Sequence, residues 1–320
     1  MRSWSAVLLV FVGLISAWTM ADEPVPTGPY KLSYPAAFGG RFSIPANNPT
    51  THEGVYLGRM LFYEPRLSST KTISCASCHR QERAFTDGLP VSFGVSGRTT
   101  KRNSMSLVNL LWVRQLFWDG RANSLEEQAL VPLTHADEMG MKPGQAARLL
   151  QQTATYPALF RRVFGSDTIT DERIGKAIAQ FERTLISANS PYDQYLQGRY
   201  VLSESEQRGM KLFMTTPSSD RAIRGGNCAH CHGGPKLYQE LFHNNGLDRN
   251  PADSGRQAIT GLALDRGRFR VPTLRNIALT APYMHDGRLA TLNDVLDHYS
   301  DHIQPAPTLS LIHISQGIVR

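Results

Sequence analysis

Apolar residues along this chain recur with the spacing of a helix and not with that of a strand. Ile174, Ala177, Ile178, Phe181 and Leu185 fall three and four residues apart, one face of an amphipathic helix. Leu292, Val295, Leu296 and Tyr299 repeat that spacing near the C-terminal end. The stripe is expected to face a core, with His302 one turn further along it and His298 off it. Three segments open on a Ser/Thr-x-x-Glu signature, in which side chains satisfy the first free backbone amides of a helix: Thr50 with Glu53, Ser124 with Glu127, and Ser203 with Glu206. The helix capped by Ser124 is expected to run to Pro132. No convincing alternation of apolar and polar residues occurs, so the predicted fold class is all-α with long loops. The stretch SANSPYDQYLQG, soon after Leu185, marks a boundary near residue 190.

At 320 residues with 41% hydrophobic and 19% charged positions, the chain can bury two ordinary cores. Its start has Arg2, an apolar run over residues 6–17 and small residues at Thr19 and Ala21. That run is shorter than the roughly 20 residues a bilayer span needs. Residues 1–21 are therefore expected to be a secretory signal cut after Ala21, leaving no stable membrane insertion and a periplasmic location. These residues carry one arginine and no acid, so the net charge of +7 becomes +6. Without basic runs, such a surface does not suggest nucleic acid and supports at most a weak preference for an acidic partner. Residues 309–314, LSLIHI, equal a translation of a common sequencing-adapter end; residues 309–320 are expected to be a foreign or truncated tail, with no function assigned.

The four cysteines change the picture. An exported chain would ordinarily pair them, but all four lie in two copies of Cys-x-x-Cys-His: Cys75, Cys78, His79 and Cys228, Cys231, His232. Two thiols at this spacing add to the two vinyl groups of one porphyrin, and the adjacent histidine becomes the axial ligand of its iron. A four-cysteine zinc site would bring the two pairs within roughly 15–20 residues, whereas these lie about 150 apart. A thioredoxin-like pair would need a strand–helix pattern around it. Two covalent haem c groups are the expected cofactors. Gly-x-x-Leu-Phe followed by proline precedes each motif, at residues 58–69 and 209–220, which indicates a duplicated cytochrome-c-like unit. Residues 22–190 and 191–308 are taken as the two units.

Over nearly the whole mature chain the sequence resembles the bacterial di-haem cytochrome c peroxidase and MauG family. The stretches CASCHRQERAFTDGLPVSFGVSG, RNSMSLVN, LFWDGRANSLEEQALVPLTHADEMG, CAHCHGG and GRFRVPTLRNIALTAPYMHDG carry the likeness. The resemblance implies a tryptophan between the haems, Trp118, and three residues on the open face of the N-terminal haem, Gln128, Pro132 and Glu138, with Glu138 as the acid–base group. Without it, Glu138 is only a loop carboxylate. It also implies a calcium ion held by the Asn103 side chain and the carbonyls of Thr280 and Pro282, with Asn109 as a substitute for Asn103.

Peroxidases of the family carry a capping histidine in the loop after the first motif; here residues 91–97 read VSFGVSG. The resemblance therefore implies an N-terminal iron open without prior reduction. The family's sixth ligand of the second iron falls on Tyr299, where the peroxidases have methionine and MauG has tyrosine. Phenolate favours ferric and higher states, and thioether favours ferrous iron. A core tyrosine is the plain alternative, with Met284 and His302 as other ligands. The expected activity is a periplasmic peroxidase that reduces hydrogen peroxide with electrons from a small cytochrome c or cupredoxin. The alternatives are a MauG-like oxidase that modifies a partner protein and a non-catalytic electron-transfer cytochrome.

Overall fold

The computed structural model describes residues 26–218 and 222–310. The expected signal sequence and nearly all of the expected tail lie outside the described residues. Helices follow in the order α1 His52–Phe62, α2 Cys75–Cys78, α3 Leu125–Thr134, α4 Gln145–Gln151, α5 Tyr156–Phe164, α6 Asp171–Glu182, α7 Pro191–Leu196, α8 Glu204–Met214, α9 Gln257–Thr260 and α10 Leu292–Asp297. Between them run 3-10 turns and long loops. A single antiparallel ribbon, β1 Phe242–His243 with β2 Phe269–Arg270, is the sheet among the described residues, so the fold is mostly helical and not strictly all-α.

The core of the N-terminal half is made where α1 and α3 pack on α6. Leu57, Leu61 and Phe62 of α1 meet Ile174, Ala177, Ile178 and Phe181 of α6, all buried. Each large side chain buried in this way contributes roughly 1.5–3 kcal/mol. Close approach of the two helices depends on glycine: a Cβ on Gly58 would lie 1.9 Å from the Ala177 carbonyl oxygen, and one on Gly54 would lie 1.9 Å from Gln180 Oε1. The α6 stripe read from the sequence is thus the core face, with Leu185 packed against the cluster just beyond the helix end.

Two of the three cap expectations hold in position. Ser203 and Glu206 form a reciprocal box at α8, and Ser124 accepts from the Glu127 amide at 3.1 Å. The α3 helix continues past Pro132 to Thr134. At α1 the cap is Thr51, which accepts from Gly54 N at 3.0 Å, and not Thr50. Glu53 instead accepts from the amide of Gly28, a bond from the N-terminal arm that pulls the helix start one residue along.

A polar seam joins the halves. Asp193 of α7 and Arg275 form a buried bidentate ion pair, 2.7 and 2.5 Å, and Arg275 also donates to Ser187 O at 3.1 Å. The stretch around residue 190 contains the capped helix α7, whose Asp193 is tied to Arg275. The turn at residues 117–121 is the second joint. Its carbonyls receive Arg270 N at Trp118 (2.7 Å), Arg270 Nε at Phe117 (3.2 Å) and Arg256 Nη1 at Asp119 and Gly120 (2.9 and 3.0 Å). Arg102 spans it by binding Asp119 at 2.6 Å and Asp253 at 2.7 and 2.8 Å.

Candidate active site

In the first motif, Cys75 and Cys78 bound the single helical turn α2, whose start is closed by Ser74 and Ser77 in a capping box. No disulfide joins them. Burial pushes the thiols up, to about 12 for Cys75 and about 11 for Cys78, so both remain protonated. His79 Nδ1 donates to Phe85 O at 2.9 Å, which fixes the tautomer with Nε2 unprotonated, and Ser104 Oγ lies 3.3 Å from the same nitrogen. Enclosure of the ring lowers its pKa, keeping it neutral.

The second motif repeats this chemistry on a different local fold. Cys228–His230 is a 3-10 turn that starts from a left-handed Asn227. His232 Nδ1 donates to Pro272 O at 3.0 Å, and burial pushes the imidazole down to about 4. The donor sets fit two haem c groups: thiols two residues apart, each pair followed by a neutral imidazole oriented by a carbonyl and presenting Nε2.

Gln128 and Pro132 sit one turn apart on the same face of α3. Gln128 Oε1 is buried without a protein hydrogen-bond partner. Glu138 follows in the loop after α3, half-buried, with His135 Nδ1 at 3.7 Å. Burial raises its pKa, while the charges of His135 and Arg121 pull the other way. Its own charge acts on both Cys75 and Cys78, which places it at this motif. The loop without a histidine packs on it directly: Val95 N donates to Glu138 O at 2.9 Å, and a Cβ on Gly94 would lie 2.0 Å from Asp137 O.

Trp118 lies at the joint between the halves. Its indole Nε1 donates to Asn103 O at 2.9 Å. Asn103 N in turn donates to His285 O at 2.7 Å and its amide Nδ2 to Leu89 O at 2.8 Å, so Asn103 is seated against the loop that carries Thr280 and Pro282. Asn109 is committed elsewhere, exchanging two bonds with the Ser187 backbone at 2.9 and 3.0 Å. Among the described residues no group of three or more His, Cys, Asp and Glu side chains converges as a metal site.

The C-terminal stripe is corrected by the structure. Leu292 and Leu296 are 39% and 59% exposed. After Asp297 the chain passes into a π turn, His298–His302, and the widened turn rotates later residues away from the 3.6 period. His298, expected off the stripe, is buried with Nε2 against Asn245 O at 3.0 Å. His302 is exposed, with Nδ1 on Asp297 O at 3.0 Å. Tyr299 turns inward. Its hydroxyl receives Asn245 Nδ2 at 3.4 Å, the same nitrogen that lies 3.4 Å from Met284 Sδ. Burial pushes the phenol up to about 12, and the second-motif thiols Cys231 and Cys228 act on it in the same direction.

Three residues of this site were not singled out from the sequence. Arg121, whose charge reaches Glu138, lies inside the quoted LFWDGR motif. Asn245 carried no signal beyond the paired asparagines of LFHNNG. Glu182 lies at the end of the α6 stripe, where periodicity alone marks a core position; it is buried within electrostatic reach of Cys75.

The sequence profile of the di-haem cytochrome c peroxidases matches residues 52–200. The chain is 36% identical to the methylamine utilization protein MauG of Methylorubrum extorquens over 317 residues, 96% of this chain and 87% of that protein. It is 38% identical to the cytochrome c551 peroxidase of Nitrosomonas europaea over 260 residues, 79% of this chain and 75% of that one. Among solved structures it superposes, with a TM-score of 0.82 and 37% identity, on a MauG-like protein associated with microbial copper homeostasis, covering 91% of each chain.

Proposed function

The chain belongs to the family of di-haem cytochrome c peroxidases and MauG proteins, and from that membership we propose how its two halves divide the work of a periplasmic peroxidase. It is an oxidoreductase acting on peroxide. Residues 22–190 form the peroxide-reducing unit, and residues 191–308 the unit that receives electrons from a small cytochrome c or cupredoxin. Cys75, Cys78 and His79 hold one haem c, and Cys228, Cys231, His232 and Tyr299 hold the other. When bound, haem c supplies the redox-active iron at which the oxygen–oxygen bond of peroxide is broken.

The observation that carries this assignment is the half-buried Glu138 beside the first motif, with its pKa raised by burial and Arg121 acting on it. Reduction of hydrogen peroxide to two waters consumes two electrons and two protons. Glu138 takes the proton from the near peroxide oxygen and returns it to the departing one, and a carboxyl raised toward neutrality is suited to both transfers. Gln128 Oε1, buried without a protein partner, accepts from the peroxide O–H and orients it. Pro132, on the same face, keeps that position apolar. The histidine-free loop at residues 91–97, packed on Glu138, leaves the site open without prior reduction. Trp118 bridges the units, its carbonyl on Arg270 and its indole on Asn103, and provides the path for electrons. Asn103, Thr280 and Pro282 hold a Ca²⁺ at that joint; one amide oxygen, carbonyls and waters are donors suited to calcium.

A MauG-like oxidase acting on a partner protein is the second reading. It is favoured by one observation, the inward Tyr299 phenol where the family's peroxidases have methionine. Stopped-flow mixing with peroxide, followed by reduced cytochrome c or cupredoxin, separates the two. Multiple turnovers of either donor are expected; peroxide reacting without oxidation of any donor would shift the assignment to the oxidase.

A further inference from the structure

Two side chains able to ligate an iron converge on one hydrogen-bond donor in the C-terminal unit. Asn245 Nδ2 is 3.4 Å from the Tyr299 hydroxyl and 3.4 Å from Met284 Sδ. Their backbones differ from ordinary helix and loop. Tyr299 lies within the π turn His298–His302, and such turns recur at functional sites. Met284 adopts φ 76°, a left-handed conformation that a non-glycine residue of this bulk rarely takes. Its neighbour His285 is pinned by stacking on Phe269 at 3.7 Å and by Asn103 N at 2.7 Å. The backbone at 284 is thus fixed, while the thioether keeps three rotatable bonds.

We propose that Tyr299 and Met284 are alternative ligands of the second haem iron, exchanged with its oxidation state, and that Asn245 holds whichever side chain is displaced. The inference rests on the assignment of residues 191–308 as the electron-transfer unit. With haem bound, Tyr299 would hold the ferric iron as its phenolate while the Asn245 amide holds the Met284 sulfur. One electron from the donor protein and one proton from solvent to the phenolate oxygen would return Tyr299 to Asn245 as a phenol, and the Met284 Sδ lone pair would take its place. No other bond is made or broken, and oxidation runs the exchange backward. Hard, anionic phenolate suits the ferric state and the soft thioether suits the ferrous. The exchange lets one unit accept electrons as peroxidases do and still hold oxidising equivalents as a tyrosine-ligated haem can.

The test is magnetic circular dichroism of the protein with both haems attached, in ferric and fully ferrous forms. Wild type is expected to show phenolate ligation when ferric and low-spin thioether ligation when ferrous. Met284→Leu should keep the ferric spectrum and turn the ferrous second haem high-spin; a ferrous spectrum identical to wild type would overturn the exchange. Should Met284→Leu fail to retain haem, wild type alone decides: a ferrous second haem that is five-coordinate or still phenolate-bound overturns it. Asn245→Leu frees the displaced side chain in both states, so its ferric and ferrous spectra are each expected to show mixed phenolate and thioether ligation. Unmixed spectra identical to wild type in both states would remove Asn245 from the device and overturn the proposal as stated. Tyr299→Phe distinguishes the underlying assignment. If its ferric spectrum matches wild type, Tyr299 is no ligand at all, whereas loss of the ferric phenolate signature with an unchanged Met284→Leu variant sinks the exchange alone.

Discussion

The two halves carry the same Cys-x-x-Cys-His chemistry on different foundations. The N-terminal half has a continuous side-chain core in which Leu57, Leu61, Phe62, Phe160, Ile174 and Ile178 are almost wholly enclosed. Beyond residue 190, the buried hydrophobic residues among those described are Leu202, Tyr238, Val271 and Tyr283. The amphipathic helix α8 buries none of its residues. What is buried there is largely polar: Asp193, Asn244, Arg270, Arg275, His285 and His298. A chain that encloses so little apolar surface gains little from the hydrophobic effect, so a haem attached there would supply much of the apolar surface that the C-terminal half lacks. In the N-terminal half a haem at the first motif would be added to a core that the chain builds for itself.

The largest expected effect follows from removing each haem's attachment. Cys228→Ala with Cys231→Ala should strip hydrogen-exchange protection from most of residues 191–308, whereas Cys75→Ala with Cys78→Ala should leave α1 and α6 slowly exchanging. Equal loss in both halves would show that the N-terminal core also depends on its haem. Next comes Glu138→Gln, expected to lower kcat/KM for peroxide by about 10²–10⁴-fold while both haems remain attached. A smaller loss would move the acid–base role to another residue.

Core truncation sharpens the contrast in stability. Ile174→Ala is expected to cost about 2–5 kcal/mol in urea unfolding, and Leu264→Ala, at a position 71% exposed, no more than about 0.5 kcal/mol. Comparable costs would mean that the C-terminal half has a packed core after all. The smallest effect concerns Glu182, which burial pushes up to about 8. The folded protein binds this proton more tightly than the unfolded chain, so its contribution to stability is complete below the ordinary glutamate value and is lost as pH rises toward 8. Glu182→Gln should therefore flatten thermal stability across that window, by up to about 1.4 kcal/mol per pH unit. An unaltered slope would show that the carboxyl is not protonated in the native state.

What could be read from the sequence divides along the same line. Where side chains pack on side chains, periodicity was informative: the stripe from Ile174 to Phe181 is the core face of α6. The two Cys-x-x-Cys-His motifs stand out in the sequence because the chemistry they suggest fixes their spacing. In the C-terminal half, period and burial part company. Leu292 and Leu296 keep the spacing of a core stripe yet stay exposed, and the π turn carries His298 inward against it. Asn245 was illegible for a related reason. Its partners Met284 and Tyr299 lie 39 and 54 residues away along loops, and nothing local announces that one amide serves both. Thr51 displaced Thr50 as a cap because Gly28 takes up Glu53, a tertiary contact that a local capping pattern does not contain.

On the proposed division of work, one haem is open for peroxide and the other is closed by a protein ligand. Electron paramagnetic resonance of the fully ferric holoprotein, quantified per haem, tests it most directly. One high-spin and one low-spin ferric haem per chain is the predicted result, with the high-spin signal lost on adding one equivalent of peroxide. Two low-spin haems, both indifferent to peroxide, would contradict the account and leave an electron-transfer cytochrome.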